Sequence, residues 1–513
     1  MNSSDPDSKP EAMEPDGSAP HPRSSRRQFL EATTLATAGV ALGCSSTSTP
    51  SSAPDAAPPV DMDAMATPDA PPNTPDATRP TPQQDASPDA TTDASLPEVE
   101  DPIRYPESDN FPLGVASGDV LPTSAMLWTR HDGDLPLEVH VWLLDGETLR
   151  GPILTTPVSR ADGGFVHHDA EGLTAGAKYR FAFLEVEETR VVARSSLGTF
   201  RAALSSESLE PLIVGAVSCT RNGRSMETLE RAGERDDIDL FLLLGDTTYN
   251  DGASSLSEYR GRWAENMSTA GYRSMRSSTS VLATWDDHEV TNDFNPESVD
   301  PSEFDNARTT FFENLPLRRD ADAPSRIWKS HRWGNTLEVF VLDTRGERRP
   351  STRRTEGHYI SRPQMDWLKA GLRDSPAVFK FLMNSVPISN FPFAFDFASR
   401  DRWEGYPRQR DEILEFIDNE PIDGVVWIAG DFHLGCMAQV ERSGVGSTQQ
   451  EFLVGPGAQT ANPLWSTLRM PQFSWSTGES NYTTFELNPA DRSFRVVYHS
   501  GDRRILQSRE FSI

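Results

Sequence analysis

Beyond Pro211 the chain alternates between short, predominantly apolar runs and amphipathic stretches. The runs are "PLIVGAV" (211–217), "IDLFLLL" (238–244), "TSVLAT" (279–284), "LEVFVLD" (337–343), "AVFKFLM" (377–383) and "DGVVWIA" (423–429). Strands this apolar are expected to be covered on both faces. The stretches between them, such as "SMETLERAGERD", "PQMDWLKAGLRD" and "QRDEILEFIDN", carry apolar residues at three- and four-residue spacing and predict helices. Near the C-terminal end, "NYTTFELN" and "SFRVVYHS" alternate and predict antiparallel partners. The expected architecture over residues 204–513 is α/β, two sheets stacked between outer helices in four αββα layers. Ahead of it, "FPLGVASGDVLPTSAMLWTR", "LEVHVWLL" and "AKYRFAFLEV" alternate apolar and polar residues between turn signals. That pattern predicts a small all-β sandwich over residues 108–203.

Composition changes the picture at the N-terminal end. Residues 45–100 are dominated by Ser, Thr, Pro, Ala and Asp and contain no aromatic residue. Such a stretch cannot bury enough apolar surface to offset ordering, so 45–107 reads as a solvated tether. Within residues 1–44, Arg26 and Arg27 precede Phe29, Leu30 and a mildly apolar run that ends in "ALGC" at Cys44. This resembles a twin-arginine export signal with a lipobox, and implies a lipid on Cys44 and a periplasmic or cell-surface protein held to a membrane. The formal charge of -29 argues against nucleic acid or an anionic bilayer as a partner through bulk electrostatics. It leaves an anionic substrate open, because a metal reverses the sign of a single cleft. A monomer is expected.

Chemistry collects where the apolar runs end. After the first come Ser218 and Cys219. The second ends in "GDTTYN" with Asp246 and Tyr249; the third in "WDDHE" with Asp286, Asp287, His288 and Glu289. The fifth gives Asn384, and the sixth "GDFH" with Asp431 and His433. One Asp after a strand is ordinarily a turn former. Five strand ends that all deliver metal-type or acid–base groups point to a site at the carboxyl edge of the sheets. Arg221, in a polar loop, is a candidate phosphate clamp, with an ordinary surface arginine as the alternative. Asn292 and Asp293 either extend the site or cap a turn. Cys436 reads as a small buried residue.

In order, these residues resemble the calcineurin-like metallophosphoesterase superfamily, whose pattern runs Asp-x-His, Gly-Asp-x-x-Asp, Gly-Asn-His-Glu, an isolated His and Gly-His-x-His. With Cys219, Tyr249, Asp287, Asn384 and Asp431 in those slots, and "FPLGVASGD", "LDTRGERR" and "WEGYPRQR" beside them, the chain is most similar to the alkaline phosphatase D family. The resemblance covers roughly residues 108–513 and implies an exported phosphomonoesterase or phosphodiesterase using ferric iron and calcium. "GLTAGAKYRFAF" (172–183) fits a fibronectin-type sandwich ahead of the catalytic domain. By resemblance, Cys219, Asp246, Tyr249 and His433 hold one metal. Thiolate, carboxylate, phenolate and imidazole suit Fe(III). Asp246, Asp287, Asn384 and Asp431 hold the other, an oxygen-only set that suits Ca(II). His288 is implied to act on the phosphoryl or leaving oxygen of a phosphate ester, with Glu289 or Asp286 orienting it and a metal-bound hydroxide attacking. The competing readings are a purple-acid-phosphatase-like enzyme, which calls for histidines at Asn384 and Asp431, and a non-catalytic, surface-anchored metal-binding protein.

Overall fold

The computed structural model describes residues 101–392, 395 and 399–513. Eight strands come first: β1 (Val115–Gly118), β2 (Ser124–Arg130), β3 (Leu137–Asp145), β4 (Thr148–Val158), β5 (Phe165–Glu171), β6 (Lys178–Glu187), β7 (Arg190–Arg194) and β8 (Gly198–Arg201). Strands and helices then alternate through β9 (Leu212–Val217), α1 (Glu227–Gly233), β10 (Leu240–Leu244), α2 (Leu256–Met267), α3 (Ala270–Ser278), β11 (Ser280–Thr284) and α4 (Pro301–Asn314). The second half carries β12 (Lys329–Trp333), β13 (Leu337–Val341), α5 (Arg362–Asp374), β14 (Phe379–Met383), α6 (Pro407–Asn419) and β15 (Val425–Ala429). It closes with β16 (Gly435–Gln439), β17 (Gln450–Leu453), β18 (Phe473–Thr477), β19 (Asn481–Asn488), β20 (Ser493–Ser500) and β21 (Ile505–Ser512).

The apolar runs form the centres of two facing sheets. One runs β21-β20-β19-β9-β10-β11-β1-β2-β5, with β9, β10 and β11 parallel; the other runs β12-β13-β14-β15-β17-β16-β18, with β13, β14 and β15 parallel. Every residue of β10 is buried, and its two faces go to different cores. Leu240, Leu242 and Leu244 meet Val339, Phe381 and Ile428 of the opposite sheet, while Phe241 and Leu243 meet Leu229, Trp263 and Phe311 of the outer helices. On the far side, Phe340, Leu382 and Trp427 pack against Leu368 of α5 and Leu414 of α6. Four layers result, in the order helix, sheet, sheet, helix. Local signals set the helix starts: Ser255 and Glu258 form a capping box on α2, and Asp300 with Pro301 opens α4.

The strands of residues 108–203 divide between two sheets and do not stand apart from the α/β core. β3, β4, β6, β7 and β8 make a five-stranded sheet, whereas β1, β2 and β5 extend the nine-stranded one. β1 pairs in parallel with β11 through Ser117–Ser280 and Gly118–Val281. The cores merge as well: Leu127 and Val166 belong to the same cluster as Val139, Phe183, Leu242 and Met383. Just after β1, buried Asp119 is tied to β12 of the other sheet by an ion pair to Lys329 and by His331 at 3.1 Å, and it accepts the amide of Arg318, in the loop ahead of that strand, at 2.6 Å. No helix among the described residues is long and apolar enough to cross a membrane. Arg26, Arg27 and Cys44 lie outside the described residues, as does the tether over 45–100.

Candidate metal centre

The parallel strands β9, β10, β11, β14 and β15 all end at one edge, and the backbone there is unusual. Cys219, Asp246, Asp431 and His433 have φ of 55°, 52°, 63° and 51°. The left-handed region is disfavoured for side-chain-bearing residues, and four such residues in one place mark a site held in shape by its surroundings. The preceding glycines explain the two Gly-Asp pairs. A Cβ on Gly245 would lie 2.5 Å from the Asp286 Cβ, and one on Gly430 would lie 2.6 Å from the Ser218 Cβ. The strand-end loops pass too close to each other for any other residue.

Two donor groups meet at Asp246. Ligand atoms of Cys219, Asp246 and His433 lie within 4.8 Å of one another. The Tyr249 hydroxyl completes that group, donating to Asp246 Oδ2 at 3.0 Å and standing 3.4 Å from His433 Nε2. On the other side Asp287 joins Asp246 and His288 in one 4.8 Å group, and Asp286 and Asp431 in another. Asn384 ends β14 fully buried, next to β15, where the Gly430 amide donates to the Ser385 carbonyl at 3.0 Å. Its Oδ1 accepts from the Trp403 indole at 3.3 Å, and its Nδ2 has no partner. Asp287 Oδ2 accepts the Asp293 amide at 2.5 Å, while buried Oδ1 is unpartnered. An orphaned carboxylate oxygen such as Asp287 Oδ1, beside other clustered carboxylates, is what a cation satisfies. Electrostatics agree. Burial, with the Asp246 charge behind it, pushes the Cys219 thiol and the Tyr249 phenol well up. Desolvation and neighbouring carboxylates raise the Asp431 carboxyl in the same way. These groups cannot all ionise together unless positive charge is supplied. The first donor set mixes sulfur, oxygen and nitrogen; the group of Asp286, Asp287 and Asp431 is oxygen only, and Asp246 with Asp287 lies between them, within reach of His288. All three are sets of groups that could hold a metal ion.

His288 lies against this centre, its ring tilted by 33° over that of Tyr249 with centroids 4.1 Å apart. Its partner differs from the sequence expectation. Nδ1 pairs with Asp251 Oδ2 at 2.7 Å, and the other Asp251 oxygen accepts the Asn292 amide at 2.7 Å. Neither Glu289 nor Asp286 orients the ring, because both are otherwise engaged. Buried Glu289 accepts the amides of Asp246, Thr247 and Asp286 at 3.1, 2.5 and 2.8 Å, so it stitches the β10 and β11 loops together. Asp286 is held by the Arg345 guanidinium, with Nε at 2.5 Å and Nη2 at 3.1 Å. Asn292 and Asp293 brace the turn, Asn292 Nδ2 donating to Asp293 Oδ2 at 2.8 Å. Arg221 is exposed at the rim, 5.6 Å above the Tyr249 ring. Cys436 is buried in β16, and both described cysteines are free.

Two residues escaped the sequence reading. Asp251 follows Tyr249 by two positions in a polar loop, where an Asp ordinarily signals only a turn. Arg345, in "LDTRGERR", is 1% exposed and pairs with Asp286, Asp401 and Asp431, while Arg348 holds Asp401 from a second direction. A search for acidic and imidazole ligands passes over a cation.

A family model for PhoD-like phosphatases matches residues 214–493, more than half of the chain. The chain belongs to the PhoD-like phosphatase family. The model of that family's N-terminal domain matches residues 97–204. As a PhoD-like chain it is 26% identical over 378 residues to alkaline phosphatase D of Bacillus subtilis (strain 168), an alignment spanning 63% of this chain and 64% of that protein, just under two thirds. A solved structure of PhoD superposes with a TM-score of 0.67 at 21% identity, covering 79% of this chain and 89% of that one. The purple acid phosphatase PPD1 from yellow lupin (Lupinus luteus) seeds superposes with a TM-score of 0.59 at 12% identity, covering 78% and 73%. At these identities the two structures speak for the fold.

Proposed function

We propose that this PhoD-like protein is an exported, metal-dependent phosphoester hydrolase acting on phosphomonoesters or phosphodiesters. The observation that carries the reading is the run of donor groups at the strand ends: Cys219, Asp246 and His433 on one side, Asp246 and Asp287 beside His288 in the middle, and Asp286, Asp287 and Asp431 on the other. Cys219, Asp246, Tyr249 and His433 would hold Fe(III), and Asp246, Asp287, Asn384 and Asp431 would hold Ca(II). When bound, such a pair polarises a phosphoryl group and makes water a better nucleophile. The chain supplies the rest. His288, with Nδ1 fixed by Asp251, has Nε2 left to donate a proton toward the phosphoryl or leaving oxygen. Glu289 keeps the two ligand loops in register through their amides. Arg221 at the rim is placed to steer an anionic ester. The oxygen donors Asn384 and Asp431, where a purple acid phosphatase calls for histidines, favour the calcium-containing form over that alternative.

Export by the twin-arginine route and a lipid on Cys44 belong to the same proposal, supported by Arg26, Arg27 and "ALGC". Selective chelation tests the core of it. Calcium removal is expected to abolish hydrolysis of chromogenic aryl phosphate mono- and diesters while iron stays bound. Full activity after calcium loss, or no turnover of either ester with both metals loaded, sinks the reading.

A further inference from the structure

We infer that Arg345 is a positioning residue of the oxygen-donor site: it takes up one oxygen of Asp431 and both of the neighbouring Asp286, so that Asp431 presents a single free oxygen to the site. The inference rests on the two-cation reading above and concerns how this chain builds the calcium half of it. Arg345 leaves the end of β13 and lies 1% exposed beneath the site. Four of its five N–H groups have acceptors. Nε and one Nη2 hydrogen go to the two oxygens of Asp286, a second Nη2 hydrogen goes to Asp431 Oδ1 at 3.3 Å, and Nη1 goes to Asp401. Asp287 Oδ1 is 3.9 Å from Nη2. Such a side chain has little left to offer a substrate.

The consequence shows on the donors. Asp431 has Oδ1 on Arg345, leaving Oδ2. Asp287 has Oδ2 on the Asp293 amide, leaving the orphaned Oδ1 that faces the same guanidinium at longer range. Arg345 also reaches the third donor through the chain. Asp401, clamped between Arg345 and Arg348, is two residues before Trp403, whose indole holds Asn384 Oδ1. With one oxygen each from Asp246, Asp287, Asn384 and Asp431, the protein offers four. A calcium ion takes about six to eight oxygen ligands. At least two positions are therefore left for water and a phosphoryl oxygen. Were the carboxylates free to rotate and bind through both oxygens, those positions would close. The fixed positive charge also offsets part of the repulsion among four neighbouring carboxylates, a task that only a permanently ionised, forked side chain performs.

The test is direct calcium titration of the iron-loaded, full-length protein by calorimetry, without substrate. Arg345→Lys keeps the charge but cannot fork, so it is expected to raise the calcium Kd by about 10–100-fold, the usual scale for groups that orient ligands. Iron stoichiometry should stay at the wild-type level. Asp401→Asn should move calcium affinity the same way by a smaller factor, and it decides the matter if Arg345→Lys does not fold. A calcium Kd within twofold of wild type in a folded Arg345→Lys protein, or in Asp401→Asn where the lysine variant is unfolded, overturns the inference while leaving the two-cation reading intact. A wild-type protein that titrates no calcium overturns both.

Discussion

Removing the Asp251 carboxylate isolates what the imidazole at the centre contributes. In Asp251→Ala, His288 loses its 2.7 Å Nδ1 partner, and the Asn292 amide loses an acceptor that water can replace. A hydrogen bond between charged groups is worth about 1.5–3 kcal/mol. Asp251 is 40% exposed, so solvent screening lowers the estimate to about 1–2 kcal/mol. At 1.36 kcal/mol per tenfold, turnover should fall by roughly 5–30-fold. The pH profile carries a second signature. Burial acts to lower the His288 pKa, while the neighbouring carboxylates, the bonded Asp251 among them, act to raise it. Without Asp251 the ring gives up its proton at lower pH, so the basic limb of kcat should move downward. Asp251→Asn should lose less rate, because its carbonyl can still accept from Nδ1, yet show the same displacement of the limb. The assay is kcat and KM for an aryl phosphate across pH, on protein whose metal content matches wild type. A turnover within twofold of wild type together with an unmoved basic limb refutes the assignment.

Tyr249→Phe is expected to remove the visible charge-transfer absorption of the iron-loaded protein, and Cys219→Ser to weaken iron binding more than calcium binding; a colourless wild type with stoichiometric iron contradicts the first. Asp119→Asn leaves Lys329 and His331 without their buried partner and should cost about 3–5 kcal/mol in denaturant unfolding at neutral pH. In the wild type the Asp119 carboxyl is held well below its ordinary 3.8: burial opposes this, but Lys329 and His331 outweigh it. Its contribution is therefore present above that unfolded-state value and is lost as pH falls below it. The gap between wild type and variant should narrow in acid, and an unchanged gap at pH 3 contradicts the pairing. Gly245→Ala forces a Cβ to 2.5 Å from Asp286 at φ +86°, and should lower both the melting temperature and metal retention.

Much of the centre was legible because strand ends have a simple signature. An apolar run followed by Gly-Asp states both the strand and the tight turn, and Gly245 and Gly430 sit where the loops cannot admit a side chain. Cys219, Asp246, Tyr249 and His433, grouped by the family resemblance, are brought together in the structure. The roles of Glu289 and Asp251 were not legible. Which carboxylate reaches His288 depends on how the 247–253 loop folds over the β11 end, and the sequence reading pointed instead to Glu289 or Asp286. The pairing of β1 with β11 was hidden for a related reason. Its partners are separated by a long stretch of chain, and alternation identifies a strand without naming its neighbour.

That pairing bears on how far the leading strands can be treated as an interchangeable part. With residues 108–203 cut away, the amides and carbonyls of β11 that face β1 would become an open sheet margin. Open margins of this kind recruit other chains. The same cut would uncover the apolar face that Leu127 and Val166 share with the central core. Swapping this region between relatives should therefore yield soluble protein only when the β11 margin travels with it.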